Sequence, residues 1–260
     1  MARSRAVAEG PARDASRGPG VLALVGGDEF MPGNEQQDEL LVREARRLGA
    51  GRQAFVIASA AVRQAPDQAV ATARAWFAGL GLEIEELPLR TRRQGSDPGI
   101  VEQASRGGLF YLAGGDPGLV VRLLEGTPAW SAAVDAWRGG AILAGSSAGA
   151  MAMGSWTLLR ARHPGDARRD ARPALGLVRG IAVAPHYETF GHRWVPEALP
   201  AVRAAGGQIV GIDERTAAVW QDGVWSVVGP GAVTVVAGDI HRFEPGERGL
   251  PLPEPGIDAP

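Results

Sequence analysis

Apolar runs of strand length recur along the chain: "GVLALVGG" (20–27), "QAFVIASA" (53–60), "LEIEELPL" (82–89), "GLFYLAGG" (108–115) and "GAILAGSS" (140–147). Between them lie "NEQQDELLVREARRLG", "DQAVATARAWFAGLG" and "PGLVVRLLEGTPAWSAAVDAWRGG", whose apolar positions fall near helical spacing with glycine at the ends. Alternation of this kind predicts a mostly parallel sheet covered by helices on both faces. Further along, "GIAVAPHY" (180–187) and "QIVGIDE" (208–214) read as strands with a helix near 195–205 between them. The spacing then shortens: "AAVWQDGVWSVVG" places two strands around Asp222-Gly223, a strong hairpin signal, and "AVTVVAGDIHRF" adds one more strand. With no internal repeat and no interior linker, the chain reads as a single three-layer α/β/α domain over 20–243 with a C-terminal antiparallel β extension. Residues 1–19 read as a disordered leader and 244–260 as a loose proline-rich tail.

Composition narrows the chemistry. The 260 residues are 45% hydrophobic and 22% charged, with a net charge of -2, so nothing in the bulk electrostatics attracts nucleic acid or an anionic membrane. No apolar stretch approaches the roughly 18 residues of a membrane span, and the N-terminus has no secretory block; a cytoplasmic protein is the expectation. Cysteine is absent, which removes thiolate metal sites and a cysteine nucleophile. All 27 basic residues are arginine, so a Schiff-base or Walker-type lysine is excluded too.

Gly145-Ser146-Ser147-Ala148-Gly149 follows a strand and precedes a helical run, the layout of a nucleophile elbow. The flanking glycines suit a turn that crowds its own backbone, and the amide of Ala148 is aimed at developing negative charge. A second donor is expected at another strand end, from Gly115 or Asp116 in "YLAGGDPG". The four histidines are His163, His186, His192 and His241. Of these, His186 ends the run "GIAVAP" and falls on the same rim as Ser147. Glu214, in "IVGIDERT", ends another strand and suits the carboxylate that orients an imidazole.

Taken together, "AGGDP", "GSSAGA", "PHY" and "GIDERTA" resemble the motif series of the cyanophycinase and dipeptidase E family of serine peptidases, in order and spacing, from about residue 20 to 240. The resemblance implies a class I glutamine amidotransferase-like fold and cofactor-independent hydrolysis of a small peptide or isopeptide with an acidic (Asp-like) residue near the scissile bond. It places Ser147 as nucleophile, His186 as general base and Glu214 as acid, with Gly115, Asp116 and Ala148 at the oxyanion hole and Tyr187 and Arg193 toward substrate. The polymer-degrading members carry glutamine after Gly-Gly-Asp and several arginines after the histidine. Here Pro117, Phe190 and His192 occupy such places, which favours a dipeptidase-like or divergent peptidase over a polymer-degrading one and leaves Arg193 as the nearest cation.

Three other features bear on the reading. The segment "RARHPGDARRDARPALGLVR" reads as a solvated arginine-rich loop that either borders the pocket or does not. His186, Glu188 and His192 match no established zinc spacing, so no metal is expected. Trp130, Trp137, Trp220 and Trp225 read as packing residues. Two alternatives stay open: an α/β-hydrolase-like esterase using Ser147, Asp213 and His241, and a noncatalytic amidotransferase-like binding domain. A homodimer is also left open.

Overall fold

The structure is a computed structural model that describes residues 18–49, 51–160 and 169–256. The first half alternates as the pattern predicts: β1 (Leu22–Val25), α1 (Glu35–Arg47), β2 (Gln53–Ile57), α2 (Pro66–Gly79), β3 (Ile84–Glu86), α3 (Pro98–Arg106) and β4 (Gly107–Leu112). Two helices, α4 (Pro117–Leu124) and α5 (Pro128–Arg138), then lead to β5 (Ile142–Ser146) and the short α6 (Ala148–Met153). Helix starts are fixed locally. Asp97, Asp116 and Thr127 cap α3, α4 and α5 with their side chains, each followed by proline at the first turn.

The second half holds β6 (Gly154–Arg160), β7 (Arg169–Pro173), β8 (Val178–Ala184), α7 (Val195–Ala204), β9 (Gln208–Ile212), β10 (Ala217–Gln221), β11 (Val224–Val228), β12 (Val233–Val236) and β13 (Ile240–Phe243). The strands form two sheets rather than one. The first has the order β11-β10-β1-β5-β4-β2-β3 and is parallel from β1 to β3, with the β10–β11 hairpin antiparallel at its edge. The second runs β13-β12-β9-β8-β6-β7, parallel only across β6, β8 and β9.

Burial explains the apolar runs. Leu22 and Leu24 belong to one buried cluster while Val21, Ala23 and Val25 belong to another, so both faces of β1 are covered. A strand covered on both faces has no polar alternation to show. Of the seven tryptophans, the four expected to pack do so: none of Trp130, Trp137, Trp220 and Trp225 is more than 6% exposed.

Two expectations are corrected. Part of the arginine-rich segment is not loop but the β6–β7 hairpin, with Thr157 opposite Arg172 and Arg160 opposite Arg169; Arg162, Asp166 and Arg168 lie outside the described residues. The tail is not loose over 244–256. Gly249 N–H donates to the Trp225 carbonyl and Gly256 N–H to Leu177, while Leu250 and Leu252 are buried. Its prolines lack donors, but the glycines between them restore backbone bonds to the domain. Among the described residues, no helix is long and apolar enough to cross a membrane.

Candidate active site

Parallel neighbours β1, β5 and β4 end on one rim, and the second sheet is joined to that rim through a glycine pair. Gly26 accepts from His186 N–H at 2.7 Å and Gly27 accepts from Arg215 N–H at 3.0 Å, while Gly26 N–H donates to Thr216. A Cβ on Gly26 would lie 2.0 Å from the Asp213 carbonyl, so this close approach of two backbones requires glycine. The seam brings the ends of β8 and β9 beside the end of β5. Residues from both sheets thereby share one site.

Ser147 sits on the turn between β5 and α6 with φ 47° and ψ -109°. The turn is crowded as its glycines suggest: a Cβ on Gly145 would lie 2.7 Å from the carbonyl carbon of Gly149, and one on Gly149 would lie 2.3 Å from the Leu112 oxygen. Among the described residues, six other than glycine have positive φ: Asp28, Phe30, Ser147, His186, Arg215 and Asp222. Asp222 turns the β10–β11 hairpin; the other five belong to this rim and its supports. Strain of about 1–3 kcal/mol per residue persists only where surrounding structure enforces it, as at functional sites.

The Ser147 hydroxyl lies 3.1 Å from His186 Nε2, and His186 Nδ1 lies 2.8 Å from Glu214 Oε1. The imidazole is packed against Phe190 and Gly27. The Phe190 ring stacks on it at 4.8 Å with 19° between planes, and a Cβ on Gly27 would lie 2.2 Å from its Cε1. Glu188 supports the carboxylate's loop by accepting from Glu214 N–H at 3.0 Å.

The loop after β4 supplies a backbone donor. Gly114 N–H is bonded to Glu29 Oε1 at 2.6 Å and Asp116 N–H to the Ala60 carbonyl at 2.9 Å. Between them, Gly115 N–H has no partner among the described residues, and with φ 139° the position is restricted to glycine. The Asp116 amide is thus already engaged and its carboxylate caps α4, so of these three amides only that of Gly115 lacks a partner among the described residues. Asp28, Glu29, Met31, Gln64, Gln68 and Gly114 surround Ser147 and His186 in an open cleft of about 450 Å³.

Tyr187 and Arg193 are not brought into the cleft lining. Tyr187 lies over the backbone of Gly211 and donates its N–H to Ile212; its hydroxyl is pushed above the ordinary range by burial and by the charge of Asp213. Arg193 is exposed on the turn before α7. His241 is exposed on the edge strand β13, and Asp213 accepts from Ala232 N–H and Arg242, so the esterase constellation does not assemble. Asp28, His186 and Glu214 present possible metal donors within 4.8 Å of one another, but both ring nitrogens of His186 are already engaged. The sequence reading missed Asp28, Glu29, Gly27 and the stacking of Phe190. The acidic pair directly after two glycines at a strand end was the available signal.

A serine on a strand-turn-helix elbow, in series with an imidazole and a carboxylate from other strand ends, is the arrangement of serine hydrolases. The chain belongs to peptidase family S51, whose family model matches residues 22–228, and it is a serine peptidase of the dipeptidase E and cyanophycinase kind. The fold is similar to that of a peptidase from an acI-B1 Actinobacterium, with a TM-score of 0.76 and 28% identity over 89% of this chain and 96% of that one. A candidate peptidase E from Listeria monocytogenes EGD-e has a similar fold at a TM-score of 0.51, with 17% identity over 87% of this chain and 98% of that one. No curated protein sequence matches the chain.

Proposed function

We propose that the chain hydrolyses a short peptide through an acyl-enzyme on Ser147. His186 takes the hydroxyl proton at Nε2, the Ser147 oxygen attacks the peptide carbonyl, and the imidazolium so formed is stabilised by Glu214 at Nδ1. The oxyanion is received by the N–H groups of Gly115 and Ala148. His186 then passes its proton to the leaving amine, and water attacks the acyl carbon with His186 again as base. A single oxyanion donor contributes about 3–4 kcal/mol to lowering such a barrier. The observation that supports this reading is the relay itself, Ser147 to His186 to Glu214, at 3.1 and 2.8 Å.

The family resemblance implies an acidic residue near the scissile bond. Among the described residues, the cleft lining offers it carboxylates and amides rather than a cation, and the nearby Arg215 is paired with Asp28 at 3.1 Å. Short peptides are therefore proposed as the substrate class, with the acidic preference resting on the resemblance. A panel of aspartyl, isoaspartyl and neutral dipeptides tests both parts. Turnover abolished by Ser147→Ala supports the nucleophile, and cleavage confined to aspartyl peptides supports the acidic preference. Turnover that survives Ser147→Ala rejects the mechanism.

A further inference from the structure

We propose that Glu29 is a positioning residue that sets the distance between the nucleophile and the oxyanion donor. The proposal rests on the reading of Ser147 as nucleophile and Gly115 as donor. Glu29 follows β1, far in sequence from either, yet both of its oxygens are engaged there. Oε1 accepts from Gly114 N–H at 2.6 Å and Oε2 accepts from the Ser146 hydroxyl at 2.8 Å. Gly114 and Ser146 directly precede Gly115 and Ser147, so one carboxylate grips the two loops one residue before each functional atom.

The sheet cannot do this itself. The ladder between β4 and β5 ends with Leu112 opposite Gly145, and the chains diverge beyond it into a loop and an elbow. Glu29 extends the connection past the last ladder pair. Gly114 leaves room for it, because a Cβ there would lie 2.6 Å from Oε1.

Glu29 is itself held on both sides. Asp28 before it has φ 57°, is paired with Arg215, and accepts at its carbonyl from the Asn34 side chain at 2.5 Å. Phe30 after it has φ 60° and buries its ring against Tyr111 and Phe77, at 4.9 and 5.9 Å. A side chain anchored this way arrives with little freedom left to lose, which suits a spacer. Displacing reacting groups by about 1 Å from productive geometry costs on the order of 10²-fold in rate.

The test is the kinetics of Ser147 phosphonylation by a fluorophosphonate in the full chain, separating the maximal rate from the half-saturating concentration, with melting temperature recorded for every variant. Glu29→Ala should lower the maximal rate by about 10²-fold and leave half-saturation unchanged. Glu29→Gln should recover most of it, since its amide oxygen accepts from Gly114 N–H while its NH₂ donates to a Ser146 hydroxyl turned to accept. If Glu29→Ala does not fold, Ser146→Ala serves: it cuts one of the two bonds and should slow phosphonylation by about tenfold, a fraction of the loss expected for a full displacement. A rate equal to the unsubstituted chain in Glu29→Ala or Ser146→Ala overturns the proposal. So does an equal loss in Glu29→Gln and Glu29→Ala, which would make charge and not hydrogen bonding the requirement. Failure of the unsubstituted chain to label at Ser147 is a separate result and removes the parent reading together with this one.

Discussion

Phe190 lies flat against His186, four residues along the same turn, and the backbone of Gly27 crowds the imidazole as well. An imidazole that must accept a proton at one nitrogen while bonded at the other tolerates little rotation. These two contacts limit that rotation without using either nitrogen. Phe190→Ala should therefore lower kcat by about tenfold with KM nearly unchanged, and Phe190→Leu should lose less, as the ring loses part of its near-attack alignment. Gly27→Ala should be more severe, because its methyl would enter the ring's own space. Steady-state kinetics on a cleaved dipeptide provides the measurement, and an unchanged kcat in Phe190→Ala would count against this restraint.

The elbow makes a prediction about stability. Alanine at Gly149 would press a methyl onto the Leu112 carbonyl, and alanine at Gly145 would press one onto the backbone of Gly149. Backbone has no rotamer by which to yield. Each substitution should cost about 1–3 kcal/mol or more, read as a fall in the urea midpoint with its slope unchanged. Alanine at Gly51, where nothing lies within 4 Å and φ is not positive, should change the midpoint little.

Asp38 predicts a pH dependence of folding unrelated to the relay. Burial pushes its carboxyl up to about 7 from an ordinary 3.8, against the opposing hydrogen bond from Trp76 and with the nearby charges of Glu29 and Glu35 adding to the rise. Its Oδ1 is buried without a hydrogen-bond partner, as suits a neutral acid. Below pH 4 the folded and unfolded chains are both protonated here. As pH rises from 4 to 7 the unfolded chain sheds the proton first, so stability falls, and above 7 the loss is complete at about 4 kcal/mol. Asp38→Asn keeps an acceptor for Trp76 and should flatten that part of the stability profile. A profile unchanged by the substitution would contradict the assignment.

Much of this architecture was legible because its signals are local. Strands covered on both faces declare themselves as apolar runs, and Asp222-Gly223 adopts the positive φ pair that its hairpin needs. Ser147, His186 and Glu214 are legible because each lies one or two residues beyond a strand end, and strand ends gather on one rim. What escaped depends on contacts distant in sequence. The β6–β7 hairpin is rich in arginine because much of it faces solvent, which in a one-dimensional reading resembles a loop. Prolines make 244–256 look loose, but its backbone bonds run to Trp225 in β11 and to Leu177 just before β8, both distant in sequence. Asp116 follows a strand end like the other candidate donors, but its amide is held by the Ala60 carbonyl, a contact no local signal announces.

Asp116 allows the cap to be separated from the chemistry. Asp116→Ala removes the acceptor for Gly118 and Leu119 N–H and should cost about 1 kcal/mol, whereas Asp116→Asn should cost much less. Thermal unfolding of the two variants measures this. Equal losses would show that the charge, not the cap, is what the position provides.

The most direct measurement of the central claim is peptide mapping of fluorophosphonate adducts on three proteins: the unsubstituted chain, His186→Ala and His241→Ala. The account predicts an adduct on Ser147 in the first and third, formed at similar rates, and labelling slower by several orders of magnitude in His186→Ala, as expected when a triad acts as a unit. Rapid labelling of Ser147 in His186→Ala, with loss in His241→Ala, would contradict it.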